Sequence, residues 1–196
     1  ESTAGAFPAY IKAWVDDPMR QLPRSMRDHW MGEYVTRFRN VVPDDPYRYA
    51  LYRIMGRFDV TKKFPTPLVL STENWLWLQL CLISETPAGD SHAPALQSYT
   101  LQDLANKLEK YGEAHFDPKG HRPLHYFQLL LLVGRFENAV AFLCSRPAYQ
   151  VDAVHFAIAL TYYGLLRVSS AAQAPSLELL AVSNPGSYID LASLLR

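Results

Sequence analysis

The chain has 196 residues with 19 basic and 19 acidic side chains, so its formal net charge is zero. Without a basic excess, neither nucleic acid nor an anionic membrane surface is expected as its main partner. Hydrophobic residues make up 49% and charged residues 19%, which excludes a disordered chain and predicts apolar surface that other protein segments cover.

The cysteines and the chain ends bear on compartment and completeness. Cys81 and Cys144 each lie within an apolar run, which favours buried thiols in a reducing compartment. The longest apolar run, around Cys81, is too short to span a bilayer, so no membrane insertion is expected. The chain begins at Glu1 and ends at Arg196 inside an apolar stretch. We interpret residues 1–196 as a single piece of a longer solenoid, cut at both ends.

In chain order, apolar positions recur with the period of helices almost throughout, and no segment combines two-residue alternation with hairpin turns. We count about nine helices and predict an all-α fold. Their approximate ranges are 7–16, 23–39, 46–55, 71–84, 100–112 (or on to 116), 123–133, 136–145, 152–169 (or from 150) and a last helix from Ser187. Asp45 before Pro46 is typical of a helix start, with an acidic cap and a proline in the first position.

One helix differs from the others because it is apolar nearly all round. Ser71 is predicted as its N-cap, since a serine hydroxyl accepts the hydrogen bond of a free amide in the first turn. A helix without a polar face is buried on most sides. Trp75, Trp77 and Leu78 are therefore predicted to lie in a central buried helix of the stack.

Two segments interrupt the helical pattern. Residues 85–98 are rich in proline, glycine and small side chains, and residues 171–186 lack a helical period except for one possible turn at 177–181. We interpret both segments as surface loops or insertions.

Two aromatic-rich helices end in the same sequence, Gly-Arg-Phe followed by an acidic residue. Gly56 and Gly134 are predicted to take the left-handed conformation that closes a helix, and Phe58 and Phe136 to pack back against it. The acidic residue favours the start of a following helix. Such turns join antiparallel helices, so the repeat predicts stacked hairpins, an α-solenoid, although similarity between two apolar helices also arises by chance.

Motifs for catalysis or cofactor binding are absent from the sequence: there is no glycine-rich phosphate loop, nucleophile elbow, His-Glu-x-x-His or Cys-x-x-Cys. His115, His121 and His125 lie near Asp117, but Pro123 separates the last two histidines. These side chains are therefore predicted to be polar loop residues and not metal ligands. We predict that the chain is not an enzyme and that it needs no cofactor, metal or small-molecule substrate.

Several segments, taken in order, resemble one known family. They are residues 7–14, 45–51, 71–80, 110–116, 126–130, 134–143 and 151–160. Together they resemble the middle of the large linker nucleoporin of the nuclear pore inner ring, in a fungal-type form. The resemblance covers most of the chain, and only residues 85–98 and 171–186 depart from it.

The resemblance implies a folded-back α-solenoid of the kind found in vesicle-coat proteins. It implies a structural role in the nuclear pore complex of the nuclear envelope, supporting the transport of proteins and mRNA between nucleus and cytoplasm. The partners it implies are other nucleoporins, namely inner-ring scaffolds and a membrane-associated nucleoporin with an RNA-recognition fold. No interaction motif is distinctive, so the partner-binding residues stay unknown at this point.

Two other classes of protein remain as alternatives. Another α-solenoid adaptor, such as a vesicle-coat or tetratricopeptide-like peptide-binding module, would be favoured by a regular 34-residue period, which the sequence lacks. A helical enzyme would require polar side chains that converge in a pocket.

Overall fold

The computed structural model describes residues 7–18, 21–38, 45–83, 99–168, 180–183 and 186–189. The chain divides into two compact units, Glu1–Thr100 and Leu101–Arg196. Each unit has a hydrophobic core of its own. The interpretation of residues 1–196 as a single solenoid piece stays a prediction.

The described part of the first unit contains four helices. They are α1 (Phe7–Asp16), α2 (Arg24–Phe38), α3 (Pro46–Gly56) and α4 (Thr72–Leu82), with a 3-10 turn at Thr66–Leu68 between the last two. Asp45 caps α3, since its carboxylate accepts the amide N–H groups of Tyr47 and Arg48, both at 3.0 Å. The Ser71 hydroxyl accepts the Asn74 amide at 3.2 Å at the start of α4. Both predicted helix starts are confirmed.

Aromatic side chains form the core of the first unit. Trp30 is fully buried and stacks on Tyr52, with ring centroids 4.0 Å apart. Its indole N–H also donates to the Tyr52 carbonyl oxygen at 3.2 Å. Tyr34 packs against Phe58 with ring centroids 5.1 Å apart. Because buried aromatic rings contribute large apolar areas, these pairs hold α2 against α3 and against the segment that follows α3.

The second unit contains five helices within the part that the structure describes. They are α5 (Leu101–Tyr111), α6 (Glu113–Phe116), α7 (Pro123–Leu132), α8 (Phe136–Cys144) and α9 (Gln150–Tyr162). Helix α8 packs against both α7 and α9. Ala139 of α8 and Ala157 of α9 are fully buried, and such small side chains let helices approach closely. Residues 133–135 alone connect α7 to α8, and such a short connection is typical of antiparallel helices, as the repeat predicts.

Helix α9 is shorter than predicted. The apolar pattern predicts a helix to about residue 169, but α9 ends at Tyr162. Gly164 has a φ of +68°, and the Leu165 amide donates to the Leu160 carbonyl oxygen at 2.9 Å. A glycine in the left-handed region followed by this hydrogen bond is a helix C-cap, so the glycine ends the helix although apolar residues continue beyond it.

The end of the chain also corrects the prediction. Instead of a loop that continues to residue 186 and a helix from Ser187, two strands form, β1 (Leu180–Ser183) and β2 (Gly186–Ile189). They pair as an antiparallel hairpin with Leu180 opposite Ile189. Residues 85–98 and 171–179, which are also predicted to be loops, lie outside the described residues.

Contacts with distant residues explain the second strand. The Ile189 amide donates to the Arg167 carbonyl oxygen at 2.9 Å, and Ile189 forms a parallel bridge with Val168. Ile189 is also fully buried in the cluster that contains Val140 of α8. Strands of four residues are too short to show alternation in the sequence, and these partners are more than 20 residues away, so the local pattern could not predict them.

Candidate functional site

The two Gly-Arg-Phe turns have different backbone conformations. At the end of α7, Gly134 has a φ of +75°, and the Arg135 amide donates to the Leu130 carbonyl oxygen at 2.9 Å. At the end of α3 the left-handed residue is Arg57, with a φ of 54°, and not Gly56. The prediction of a left-handed Gly56 is therefore wrong.

Gly56 is required by a close approach. A Cβ atom at this position would lie 2.2 Å from Cε2 of Phe58. The Phe58 ring is buried and packs over the backbone of Gly56 on one side and against Tyr34 on the other. Phe136, its counterpart in the second unit, is half-buried and packs against the core near Val140.

The acidic residues of the two turns also differ. Glu137 lies in the first turn of α8, as predicted. Asp59 does not begin a helix; its carboxylate accepts the Tyr34 hydroxyl at 2.8 Å and the Lys62 ammonium at 2.5 Å. Burial by itself raises the pKa of Asp59, but the hydrogen bonds from Lys62 and Tyr34 outweigh it, so the pKa lies below its ordinary value.

Arg53 organises the segment that follows α3. It is fully buried, and its guanidinium donates to the carbonyl oxygens of Asp59 at 2.6 Å, Lys62 at 2.8 Å and Lys63 at 3.3 Å. The guanidinium also lies 4.0 Å from the centroid of the Phe64 ring. Burial lowers the pKa of Arg53. The local sequence gives no signal for this role, because an arginine on a helix is ordinarily an exposed side chain.

The segment held by Arg53 leads into one wall of an apolar groove on the first unit. The groove has a volume of about 400 Å³. Helix α3, the connecting segment with Pro67, Leu68 and Leu70, and helix α4 form its walls. The large apolar side chains that line it include Tyr47, Leu51, Ile54, Leu70, Trp77 and Leu78.

The groove has a buried floor and an exposed apolar rim. Ile54 and Leu78 are buried, whereas Tyr47 is 69%, Leu70 is 79% and Trp77 is 61% exposed. Among the described residues, no charged side chain lines it. A concave surface with several large exposed apolar side chains marks an interaction site.

Helix α4 is buried on one side only. Leu78 is 4% exposed and Trp75 is half-buried, but Trp77 lies on the open side of the groove. The prediction of a central buried helix is therefore wrong for Trp77. The apolar residues of α4 are divided between the core and the groove, and composition does not reveal this division because both sides are equally apolar.

In the second unit a buried carboxylate joins two distant segments. Glu137 is 4% exposed, and its Oε1 accepts the backbone N–H and the Nε–H of Arg167, both at 2.9 Å. Burial by itself raises the pKa of Glu137, but the hydrogen bonds and charge of Arg167 outweigh it, so the pKa lies below its ordinary value. The contact ties the start of α8 to the segment after α9.

We expect Glu137→Gln to lower the free energy of unfolding by about 1–3 kcal/mol at pH 7, because the buried charge-assisted hydrogen bonds are lost. The folded-state pKa is depressed, so this contribution is present above the unfolded-state pKa and disappears as the pH falls through the folded-state pKa. Urea unfolding from pH 7 down to about pH 3 measures this contribution. The range passes through the pKa of an unperturbed glutamate, which is about 4.3.

The control for this prediction is Glu113→Gln. Glu113 pairs with Arg146, and both side chains are partly exposed, so this variant should lose less than about 1 kcal/mol. A difference between Glu137→Gln and the unaltered chain that stays constant as the pH falls contradicts the assignment.

Of the three histidines predicted to be loop residues, only His121 lies in a turn. The prediction is wrong for His115, which lies in α6, and for His125, which lies in the first turn of α7. The Asp117 carboxylate accepts the backbone amides of His121 at 3.2 Å and Arg122 at 2.6 Å. No group of three histidine, cysteine or acidic side chains within the described residues is arranged to hold a metal ion. In the same part of the chain, no helix is long and apolar enough to cross a membrane.

The sequence is similar to nucleoporins. The family model described as Nup93/Nic96 matches residues 1–196. The Meiotically up-regulated gene 87 protein of Schizosaccharomyces pombe is 38% identical over 178 residues, which cover 91% of this chain and 20% of that protein. Nucleoporin NIC96 of Chaetomium thermophilum is 41% identical over 176 residues, covering 86% of this chain and 15% of that protein.

A vertebrate relative and a solved structure agree with these matches. Nuclear pore complex protein Nup93 of Danio rerio is 32% identical over 174 residues, 89% of this chain and 21% of that protein. The chain thus spans about a fifth or less of the length of these relatives. The crystal structure of Chaetomium thermophilum Nic96 SOL superposes with a TM-score of 0.80 at 37% identity, covering 97% of this chain and 27% of that one. The predicted all-α, solenoid fold class is confirmed.

Proposed function

The chain belongs to the Nup93/Nic96 family, and from this premise we propose that it is a segment of a structural scaffold nucleoporin at the nuclear pore complex in the nuclear envelope. The observation that carries the proposal is the family match over residues 1–196, together with the superposition on Nic96 SOL. Such a scaffold supports nucleocytoplasmic transport by holding other pore components in place. The comparisons give no support to a vesicle-coat or tetratricopeptide-like adaptor.

The partners that we propose are other nucleoporins. They include inner-ring scaffolds and short segments of a membrane-associated nucleoporin with an RNA-recognition fold. The site that we propose for a short segment is the groove between α3 and α4, because its rim side chains Tyr47, Leu70 and Trp77 are exposed and apolar. Burial of this surface by a partner is favourable by about 25 cal/mol per Å².

The chemistry of the groove favours an amphipathic helix over an extended strand. Two of its walls are helices, whose backbone groups bond within each helix and cannot pair with a strand. An extended segment would leave its own N–H and C=O groups facing apolar walls, at a cost of about 1–3 kcal/mol for each unpaired group. A helix satisfies those groups internally, so its apolar side chains at i, i+3 or i+4, and i+7 are free to enter the groove.

We also propose that the chain has no catalytic activity, binds no metal, cofactor or small-molecule substrate, and does not contact nucleic acid or insert into a membrane. The Chaetomium thermophilum and Danio rerio relatives are described as a nucleoporin and a nuclear pore complex protein. The zero net charge of the chain supports the absence of a nucleic acid partner.

Trp77→Ala tests the groove. We expect it to weaken the capture of nucleoporins about tenfold, because an aromatic side chain on the rim of an apolar groove contributes a large share of binding energy. Since Trp77 is exposed, the free energy of unfolding should change by less than about 1 kcal/mol. The measurement is a concentration series of pull-downs from nuclear-envelope extract, with the captured proteins identified by mass spectrometry.

Met31→Ala is the matched control, because Met31 is 44% exposed on α2 of the same unit and does not line the groove. Equal nucleoporin capture by Trp77→Ala and Met31→Ala contradicts the proposed site. A photo-crosslinking residue at position 51 tests the occupant. Crosslinks that recur every three or four residues of one nucleoporin segment support a helix, and crosslinks at every second residue contradict it.

A further inference from the structure

Thr66 is next in the chain to the lining of the groove. It is exposed, and it directly precedes Pro67, which lines the groove. Thr66 follows Pro65, whose φ of −58° and ψ of 142° are those of an extended polyproline conformation. Thr66 thus lies between two prolines, at the first residue of the 3-10 turn.

The segment around Thr66 is anchored in the core by one buried side chain, and its other side chains are largely accessible to solvent. Phe64 is buried beneath the Arg53 guanidinium, whereas the side chains of Lys62 and Lys63 are exposed. Two backbone hydrogen bonds hold the turn. The Leu68 and Val69 amides donate to the carbonyl oxygens of Pro65 and Thr66, respectively, both at 3.0 Å. Because only these two backbone hydrogen bonds close the turn, an enzyme can extend the segment around Thr66 without disturbing the anchored core.

A threonine followed by proline is the acceptor of proline-directed protein kinases, whose sites accept a following residue that has no backbone N–H. We propose that Thr66 is a phosphorylation site for a kinase of this class and that its phosphate weakens docking in the groove. The Thr66 hydroxyl oxygen attacks the γ-phosphorus of ATP. The new O–P bond forms as the bond to the β-phosphate oxygen breaks, ADP leaves with that electron pair, and the hydroxyl proton passes to the kinase's carboxylate base.

The effect on docking follows from charge. A phosphothreonine carries a charge of about −1.5 to −2 at neutral pH. At the edge of the groove, beside Pro67, an incoming apolar helix would have to desolvate that charge, which is costly. No charged side chain among the described lining residues offsets this cost. This regulatory effect rests on the proposed docking function, whereas the modification itself does not.

The modification is tested by incubating the folded chain with a cyclin-dependent kinase, its cyclin and ATP, and mapping phosphate by mass spectrometry. We expect phosphate on Thr66, its loss in Thr66→Ala and its retention in Thr66→Ser. The other Thr-Pro pair, Thr86-Pro87, lies outside the described residues, and Thr86→Ala should leave the Thr66 signal unchanged. Phosphate at Thr66 only after denaturation, or not at all, overturns the proposal.

The effect on docking is tested with the pull-down from nuclear-envelope extract. We expect the phosphorylated chain to capture nucleoporins about tenfold less well than the same chain after phosphatase treatment. Thr66→Ala treated with the same kinase and ATP should show no such loss. Unchanged capture at full Thr66 phosphorylation overturns the regulatory part. Unchanged capture by Trp77→Ala would instead contradict the docking function of the groove. Whether Thr66 is modified is decided by the mass spectrum alone.

Discussion

Replacing Arg53 with methionine is expected to lower the free energy of unfolding by about 3–5 kcal/mol. Methionine fills a similar volume over the Phe64 ring but cannot donate hydrogen bonds. The carbonyl oxygens of Asp59, Lys62 and Lys63 therefore lose their donor in a buried setting. An unpaired buried polar group costs about 1–3 kcal/mol, so the sum over three groups is large.

Urea unfolding followed by tryptophan fluorescence measures this loss, since Trp30 is buried in the core of the first unit. The control is Lys62→Met, which removes an exposed ion pair with Asp59 and should cost less than about 1 kcal/mol. A similar effect of both variants contradicts the role assigned to Arg53. We also expect Arg53→Met to reduce nucleoporin capture, because the segment it holds leads into a wall of the groove.

The second large effect is expected from Gly56→Ala, which should lower the free energy of unfolding by about 2–4 kcal/mol. In an ordinary helix this substitution is favourable by up to about 1 kcal/mol. Here the new methyl group would lie 2.2 Å from the Phe58 ring. The ring is buried against Tyr34, so it can move only by opening the core.

Two variants isolate this clash. Gly32→Ala in α2 meets no atom within 4 Å and should stabilise the chain by about 0.5–1 kcal/mol through helix propensity alone. In a Phe58→Leu background the cost of Gly56→Ala should fall sharply, because the smaller side chain leaves room for the methyl group. An unchanged cost in that background, determined as a double-mutant cycle, argues against ring contact as the cause.

Local sequence predicted most helix starts because a start depends on hydrogen bonds within one turn. Asp45 and Ser71 accept amides two or three residues ahead, and both were identified as caps from residue type alone. The order of short family-like segments was equally informative, and the resemblance to the nucleoporin family is confirmed. Gly164 is an exception, since it ends α9 although the apolar run continues past it.

The candidate site was only partly predictable. The sequence of α4 is apolar nearly all round and predicts that Trp77 lies in the core, whereas the structure places that side chain on the open side of the groove. Arg53 carried no signal at all, because its acceptors are carbonyl oxygens and every residue has one. The groove itself is formed by two helices and a connecting segment, so no single stretch of sequence describes it.

The sequence by itself determined the helical class of this protein, the positions of most helices and the family to which it belongs. These properties depend on apolar spacing, capping residues and turns, which act over a few neighbouring residues. Only the tertiary structure decided which apolar faces are buried, why Gly56 has no side chain, and that Gly186–Ile189 is a strand. Each of those outcomes depends on side-chain packing or on partners distant along the chain, such as Arg167 and α8 for Ile189, and local periodicity contains no information about either.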